Sequence, residues 1–326
     1  MKKIAYVLLL PIVFETGFTD MSGQNQQTGS TRKVLFQISN EERPVFNGSS
    51  LTISPIGNSV IVFTNDDEGR FFVYENGNKR GPFYDVSASR VKLPEDDLQE
   101  FDPIFRRESD ADFEKYIEYN PDGLATLKVG GKTFGPFQSI LEFYANSDKK
   151  IFCGIVMKDG KPLLISHSGL TTELDGQPGF THPDPTGNRL MVTTVKEKDN
   201  VAPEAYIYFQ DGKKFGPYNP VKINPNNPAF SKTGGDNWLL TMNSKLFING
   251  IKVKDLINED ISPANVWLSP DGKRFVIIVF NRIEFSDGTI IKDPLKFRIS
   301  VQQNKITIWW LSIENETDIV LYSKSI

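Results

Sequence analysis

The residues able to do chemistry in this 326-residue chain are few: two histidines, one cysteine and 41 carboxylates. His182, in Phe180-Thr181-His182-Pro183-Asp184, is the one candidate general base, because imidazole is the side chain best matched to proton transfer near neutrality. His167 stands beside Ser168-Gly169 and reads as the exposed neighbour of a turn. The sequence holds no Gly-x-Ser-x-Gly elbow, no His-Glu-x-x-His pair and no phosphate loop. Cys153 lies in the apolar run Ile151 to Val156 and is expected to be a buried, inert thiol; a lone cysteine forms no intrachain disulfide and no multi-cysteine metal site. Asn65-Asp66-Asp67-Glu68-Gly69 and Asn120-Pro121-Asp122-Gly123 resemble calcium loops at first sight. They lack the alternate-residue ligands and closing Glu of an EF-hand, and read as Asx/Gly turns. The sequence therefore predicts no catalytic set, no metal site and no cofactor.

The elements that would carry these residues are repeats. Tyr74-Glu75-Asn76-Gly77-Asn78-Lys79-Arg80-Gly81-Pro82-Phe83 recurs as Val129-Gly130-Gly131-Lys132-Thr133-Phe134-Gly135-Pro136-Phe137 and as Phe209-Gln210-Asp211-Gly212-Lys213-Lys214-Phe215-Gly216-Pro217-Tyr218. Shorter copies sit at Ser168-Gly169, Asn249-Gly250 and Asp287-Gly288. Each predicts a hairpin closed by a two-residue Asx-Gly turn. The turn glycines at 77, 131, 169, 212, 250 and 288 are 54, 38, 43, 38 and 38 residues apart. A period near 38 falls close to the length of a propeller blade.

A second turn series runs in phase with the first. Ser269-Pro270-Asp271-Gly272-Lys273-Arg274 has counterparts at Ser54-Pro55-Ile56-Gly57-Asn58 and Asp184-Pro185-Thr186-Gly187-Asn188-Arg189, each before an apolar strand. One unit reads as inner strand, turn, apolar strand, third strand, Asn-Gly turn and outer strand. Gly-Pro is expected at the start of the outer strand, an edge where proline costs no ladder bond. The last unit, with strands at Lys305 to Leu311 and Asp318 to Tyr322, lacks a fourth strand at the C-terminus, and Lys33 to Ile38 is an unmatched strand near the start. Pairing these two predicts an all-β propeller of seven four-stranded antiparallel blades; six blades with an added hairpin is the alternative. An insertion is expected near residues 92–107, around Glu95-Asp96-Asp97.

The Ser-Pro-Asp-Gly-Lys-Arg phrase before an apolar strand resembles the WD-like repeats of TolB-type bacterial periplasmic propellers. It is clearest from Ala264 to Phe280, partial at Ser54 and Asp184, and weak elsewhere. The resemblance implies the fold and an envelope setting. The Gly-Pro-Phe/Tyr outer strand departs from that family's pattern, so its partners do not transfer.

Net charge of −4 argues against a nucleic-acid surface. Lys2 and Lys3 before the apolar run Ile4 to Phe14 read as a signal peptide over residues 1–19, followed by a disordered lead-in over 20–32 and a propeller over 33–326. No other segment is apolar and long enough to cross a bilayer as a helix. The expectation is an exported, non-enzymatic scaffold, periplasmic or extracellular, for another protein or a glycan. The alternative is a glycan lyase or hydrolase working at a channel mouth through His182 and paired carboxylates. The candidate mouth residues are Arg106, Arg107, His182, Lys232 and Trp267, with Trp267 equally readable as core. Trp309 and Trp310, as neighbours in one strand, must point to opposite faces, leaving one exposed or packed between blades.

Overall fold

Runs of Val, Ile, Phe and Tyr bounded by Asn, Asp and Gly satisfy their backbone groups most cheaply by pairing with the next run, and the described residues follow this rule. A computed structural model describes residues 30–45, 51–54, 57, 59–84, 106–185, 187–257, 261–279, 281–302 and 305–326. They form seven antiparallel sheets, numbered here in chain order. In sheet 1, Glu42–Pro44 and Leu51–Ile53 share one side of Val60–Asp66, followed by Phe71–Glu75 and Asn78–Phe83. Sheet 2 has three described strands: Ile117–Tyr119, Ala125–Val129 and Lys132–Phe137. Sheet 3 runs Ser139–Ala145, Phe152–Lys158, Lys161–Ser166 and Thr171–Glu173, and Arg106–Arg107 adds to the free side of its first strand.

Sheet 4 comprises Gln177–Pro183, Leu190–Lys198, Val201–Phe209 and Lys214–Tyr218, and sheet 5 Ala229–Phe230, Trp238–Met242, Lys245–Ile248 and Ile251–Asp255. Sheet 6 has Val266–Leu268, Phe275–Val279, Arg282–Phe285 and Ile290–Lys292. Sheet 7 joins the two ends of the described chain: Lys296–Gln302, Lys305–Glu314 and Asp318–Ser325 are completed by Ser30–Gln37, which pairs antiparallel with Asp318–Ser325. That strand begins inside the stretch expected to be a disordered lead-in. The proposed signal peptide and the insertion up to residue 105 lie outside the described residues.

Alternation along each second strand glues the sheets together. Leu190 and Val192 pack toward sheet 3 with Tyr144, Cys153 and Leu164, whereas Met191 between them packs toward sheet 5 with Phe230 and Trp238. Apolar clusters of this kind join sheets 2 and 3, 3 and 4, 4 and 5, 5 and 6, 6 and 7, and 7 and 1. The other face of sheet 1 buries Ile61, Phe63 and Val73. Both faces of a strand are therefore covered, so Trp309 and Trp310 are both packed between sheets. Trp310 lies among Phe285, Ile306 and Ile308, and Trp309 against the cluster shared with sheet 1. Trp309 crowds Gly57 so closely that a Cβ there would sit 2.3 Å from its indole nitrogen. Cys153 is fully buried, and burial raises its thiol pKa.

The hairpin turns come in two kinds. Asn76-Gly77, Gly130-Gly131 and Asn249-Gly250 place both residues at positive φ, as a two-residue turn requires. In Ser168-Gly169, Asp211-Gly212 and Asp287-Gly288 the glycine has positive φ and its N–H returns to the carbonyl three residues earlier. These three are one residue longer than expected. The Ser-Pro-Asp-Gly turn is held by its own side chains: the Ser269 hydroxyl donates to Asp271 at 2.6 Å and accepts the Arg274 N–H at 2.9 Å.

Gly-Pro lies inside the outer strand, not at its start. In each of Asn78–Phe83, Lys132–Phe137 and Lys214–Tyr218 the pairing register slips by one residue across Gly-Pro, which makes a β-bulge, and the Gly-Pro bond is cis.

Candidate binding surface

The free sides of sheets 3 and 4, opposite their outer strands, carry a second pair of bulges. On Ser139–Ala145 the register slips between Ile140 and Glu142, leaving Leu141 as the extra residue. On Gln177–Pro183 it slips between Pro178 and Thr181, and the Thr193 hydroxyl clamps the bulge by accepting the Phe180 N–H at 2.8 Å and donating to the Phe180 carbonyl at 3.0 Å. Bulges re-aim side chains, and here two large apolar ones face solvent: Leu141 is 45% exposed and Phe180 41%. A lone exposed apolar residue needs no explanation, but two at matching bulges on the first strands of successive sheets form a pattern.

Polar groups tie these two strands together. Tyr144 donates to the Glu142 carboxylate at 3.2 Å, which leaves its oxygen to accept from the Thr181 hydroxyl of the neighbouring sheet. Burial, with Glu142 nearby, pushes the Tyr144 phenol above its ordinary pKa, so it remains a neutral donor. Arg107 approaches Glu142 at 3.7 Å across the extra strand, whose backbone pairs Arg107 with Tyr144 and Arg106 with Ala145. Both arginines are exposed. A partly exposed pair at this distance contributes at most about 1 kcal/mol, so Arg107 can turn to an incoming anionic group at little cost.

The other predicted residues fall elsewhere. His182 follows Thr181 and so points to the opposite face. It is 4% exposed, donates to the Pro225 carbonyl, and its Nε2 has no hydrogen-bond partner among the described residues. Burial lowers its pKa to about 4, so the ring is neutral at physiological pH. Lys232 and Trp267 meet: the ammonium lies 4.9 Å from the indole ring and donates to the Ala264 carbonyl at 2.6 Å. The surrounding protein lowers the Lys232 pKa although much of the side chain stays exposed. Trp267 is half-buried against the cluster between sheets 6 and 7. Leu141, Glu142, Tyr144, Phe180 and Thr181 were not foreseen as site residues. The one available signal was Pro178-Gly179 within a strand, since glycine there often marks a bulge.

Among the described residues no group of three or more His, Cys, Asp or Glu is placed to hold a metal ion, and no helix is long and apolar enough to cross a membrane. No family model and no curated protein matches the chain. A solved structure described as the eukaryotic initiation factor is similar at 10% identity and a TM-score of 0.29, with 81% of this chain and 61% of that chain covered. The chain thus spans less than two thirds of that relative, and a likeness so weak assigns neither fold nor function. The resemblance to TolB-type repeats gains no family match. What stands is an all-β chain of mostly four-stranded antiparallel sheets, compatible with a propeller.

Proposed function

We propose that this chain is an exported, non-enzymatic seven-bladed propeller that docks another envelope or extracellular protein, or a glycan, on the inner edges of sheets 3 and 4. The ring reading is supported by the pairing of Ser30–Gln37 with Asp318–Ser325 and by six successive sheet-to-sheet clusters. Export rests on the order of charge and apolar residues over positions 1–19. The observation that carries the binding reading is the matched pair of bulges presenting Leu141 and Phe180 beside Arg106, Arg107 and the Glu142–Tyr144–Thr181 bridge. Apolar anchors rimmed by arginine are the usual make-up of an energetic centre in an interface. A buried neutral His182 with a pKa near 4 is poorly suited to serve as a general base toward a bound substrate.

The test is affinity capture from envelope extract, with a glycan array on the same preparation, comparing the natural chain with Leu141→Glu/Phe180→Glu and with Val221→Glu as an exposed control. A partner or glycan retained by the control and lost from the double variant supports the proposal. Equal retention by all three places binding elsewhere. Glycan turnover by the natural chain overturns the non-enzymatic reading.

A further inference from the structure

A furrow of about 510 Å³ runs between the outer parts of sheets 3 and 4. Neither Leu141 nor Phe180 lines it, so it is independent of the inner-edge reading. Thr172 comes from the outer strand of sheet 3, Tyr208 and Lys214 from the last two strands of sheet 4, and Asp175 from the connection between the sheets. Every lining residue is described, and the one undescribed residue from 106 to 257 is the uncharged Thr186. Asp175 is the hub. Its backbone N–H donates to the Tyr208 hydroxyl at 2.9 Å, and its carbonyl accepts the Thr194 hydroxyl at 2.8 Å, which fixes the connection against sheet 4. Its carboxylate takes Lys196 on one oxygen at 2.8 Å and Lys214 on the other at 3.1 Å. The side chains of Lys196, Lys214 and Asp175 keep 42%, 39% and 35% of their surface in solvent, so an arriving group can reach them. Two ammonium groups thus share one carboxylate and repel each other. The ion pairs around them cancel: Lys161 with Glu173, Lys198 with Glu204 and Lys213 with Asp211. Glu197 and Asp199 stand exposed on the hairpin beyond Lys196, where water and salt screen them. One positive charge is left over at Lys196 and Lys214.

That surplus suits a single anionic group, and the rest of the lining suits hydroxyls. The apolar floor is closed: Leu174 is 3% and Tyr208 2% exposed, which leaves no wall for a hydrocarbon chain. Lys161 and Glu173 set a donor beside an acceptor, and the half-buried Thr172 offers both. A hydroxyl is the neutral group that answers this pattern, because it donates and accepts at once. The volume is that of a small-molecule site, with room beyond a lone carboxylate. We propose that the furrow binds a short saccharide carrying one carboxylate, a hexuronate free or joined to a neutral sugar. Its carboxylate lies on Lys196 and Lys214 and its hydroxyls toward Thr172, Lys161 and Glu173.

The experiment is a low-salt titration of the full chain, followed by nuclear magnetic resonance of the ligand, with glucuronate, the glucuronyl-glucose disaccharide cellobiouronate, its neutral counterpart cellobiose, and acetate. It is repeated on Thr172→Trp, which fills the furrow, and on Lys196→Met and Lys214→Met, each of which leaves Asp175 one lysine and removes the surplus charge. The expected result is saturable binding of at least one acidic sugar, with cellobiose and acetate weaker by roughly fivefold or more, the scale of charge-assisted hydrogen bonds at a partly exposed site. Thr172→Trp should abolish binding, and either lysine variant should bring the acidic sugar down to the level of cellobiose. Leu141→Glu/Phe180→Glu should bind as the natural chain does, so this assignment and the inner-edge reading fail separately. No saturable binding of either acidic sugar, cellobiose or acetate binding as tightly, or unchanged binding in Thr172→Trp would each overturn the assignment. Loss of the sugar from Leu141→Glu/Phe180→Glu alone would overturn it too, by moving the site to the inner edge. Should Thr172→Trp fail to fold, as checked by far-ultraviolet circular dichroism, the two lysine variants decide the matter.

Discussion

Sheet 4 has a β-bulge on each of its edge strands, and the two bulges do opposite things. On the outer strand Lys214–Tyr218 the slip falls at Gly216-Pro217, flanked by Lys214, which sits 3.9 Å from the Tyr206 ring and 3.1 Å from Asp175. On the inner strand Gln177–Pro183 it falls at Gly179-Phe180 and presents an aromatic ring to solvent. The outer pattern extends around the molecule. Outer strands of five to eight residues, in sheets 1, 2, 4, 5 and 7, all slip register once. Those of sheets 3 and 6 are three residues long and pair without a slip. Shortness and bulging are alternative ways to keep an exposed edge from recruiting a foreign strand. The outer bulges interrupt an exposed edge; those on the first strands of sheets 3 and 4 place Leu141 and Phe180 in solvent.

The harshest way to break this comparison is to remove an outer strand. Deleting residues 1–37 turns Asp318–Ser325 into a bare edge carrying Ile319 and Val320, both fully buried in the intact chain. A loss of more than about 5 kcal/mol is expected from lost burial and hydrogen bonds together. Urea denaturation should show it, light scattering should show aggregation, and a peptide of residues 30–38 should reverse both.

His182 gives the next effect, from the inner strand. Its folded pKa of about 4 lies below the unfolded value near 6.5, so the unfolded chain takes up the proton first. Its contribution is complete above pH 6.5, declines as pH falls toward 4, and is flat below. The expected fall is up to about 3 kcal/mol, read as urea midpoints against pH, and His182→Gln should flatten that window. A slope unchanged in His182→Gln would mean the ring is hydrated and ordinary.

Bulge and turn glycines should separate next. Gly216 has φ +122, and a Cβ there would lie 2.8 Å from the Ala205 carbonyl oxygen, as at Gly81 and Gly135 with their own partners. Gly288 also has positive φ but open space around it. Gly216→Ala is expected to cost about 1–3 kcal/mol and Gly288→Ala about 1 kcal/mol in the same denaturation experiment. Equal costs would show that backbone conformation alone matters and that the close approach does not. The smallest stability effect belongs to the proposed docking edge: Leu141→Ala and Phe180→Ala should each stay within about 0.5 kcal/mol while partner retention drops.

Much of this architecture was legible because it is local. The repeated turn glycines announced themselves by spacing, and all six have positive φ. The unmatched strand near Lys33 and the missing fourth strand near the C-terminus pointed to each other and do pair. The site was far less legible. Arg106 and Arg107 lie where an edge is extended, but their neighbours Leu141 and Phe180 owe their exposure to register slips. A slip depends on how many residues the partner strand offers between two ladder bonds. His182 and Thr181 are adjacent in sequence, yet one is buried under Pro225 and the other bridges to Tyr144. Alternation requires two faces, but it does not say what covers each.

By itself the sequence determined the all-β class, the turn positions and the pairing partners of most strands, because hairpins are set by glycine, asparagine and the two-residue period within a few residues of each other. Only the tertiary structure decided which faces meet, that both Trp309 and Trp310 are packed between sheets, and that bulges on facing edges present Leu141 and Phe180. Those outcomes depend on contacts between segments distant in the chain, where register and packing are chosen jointly and no local pattern records the choice.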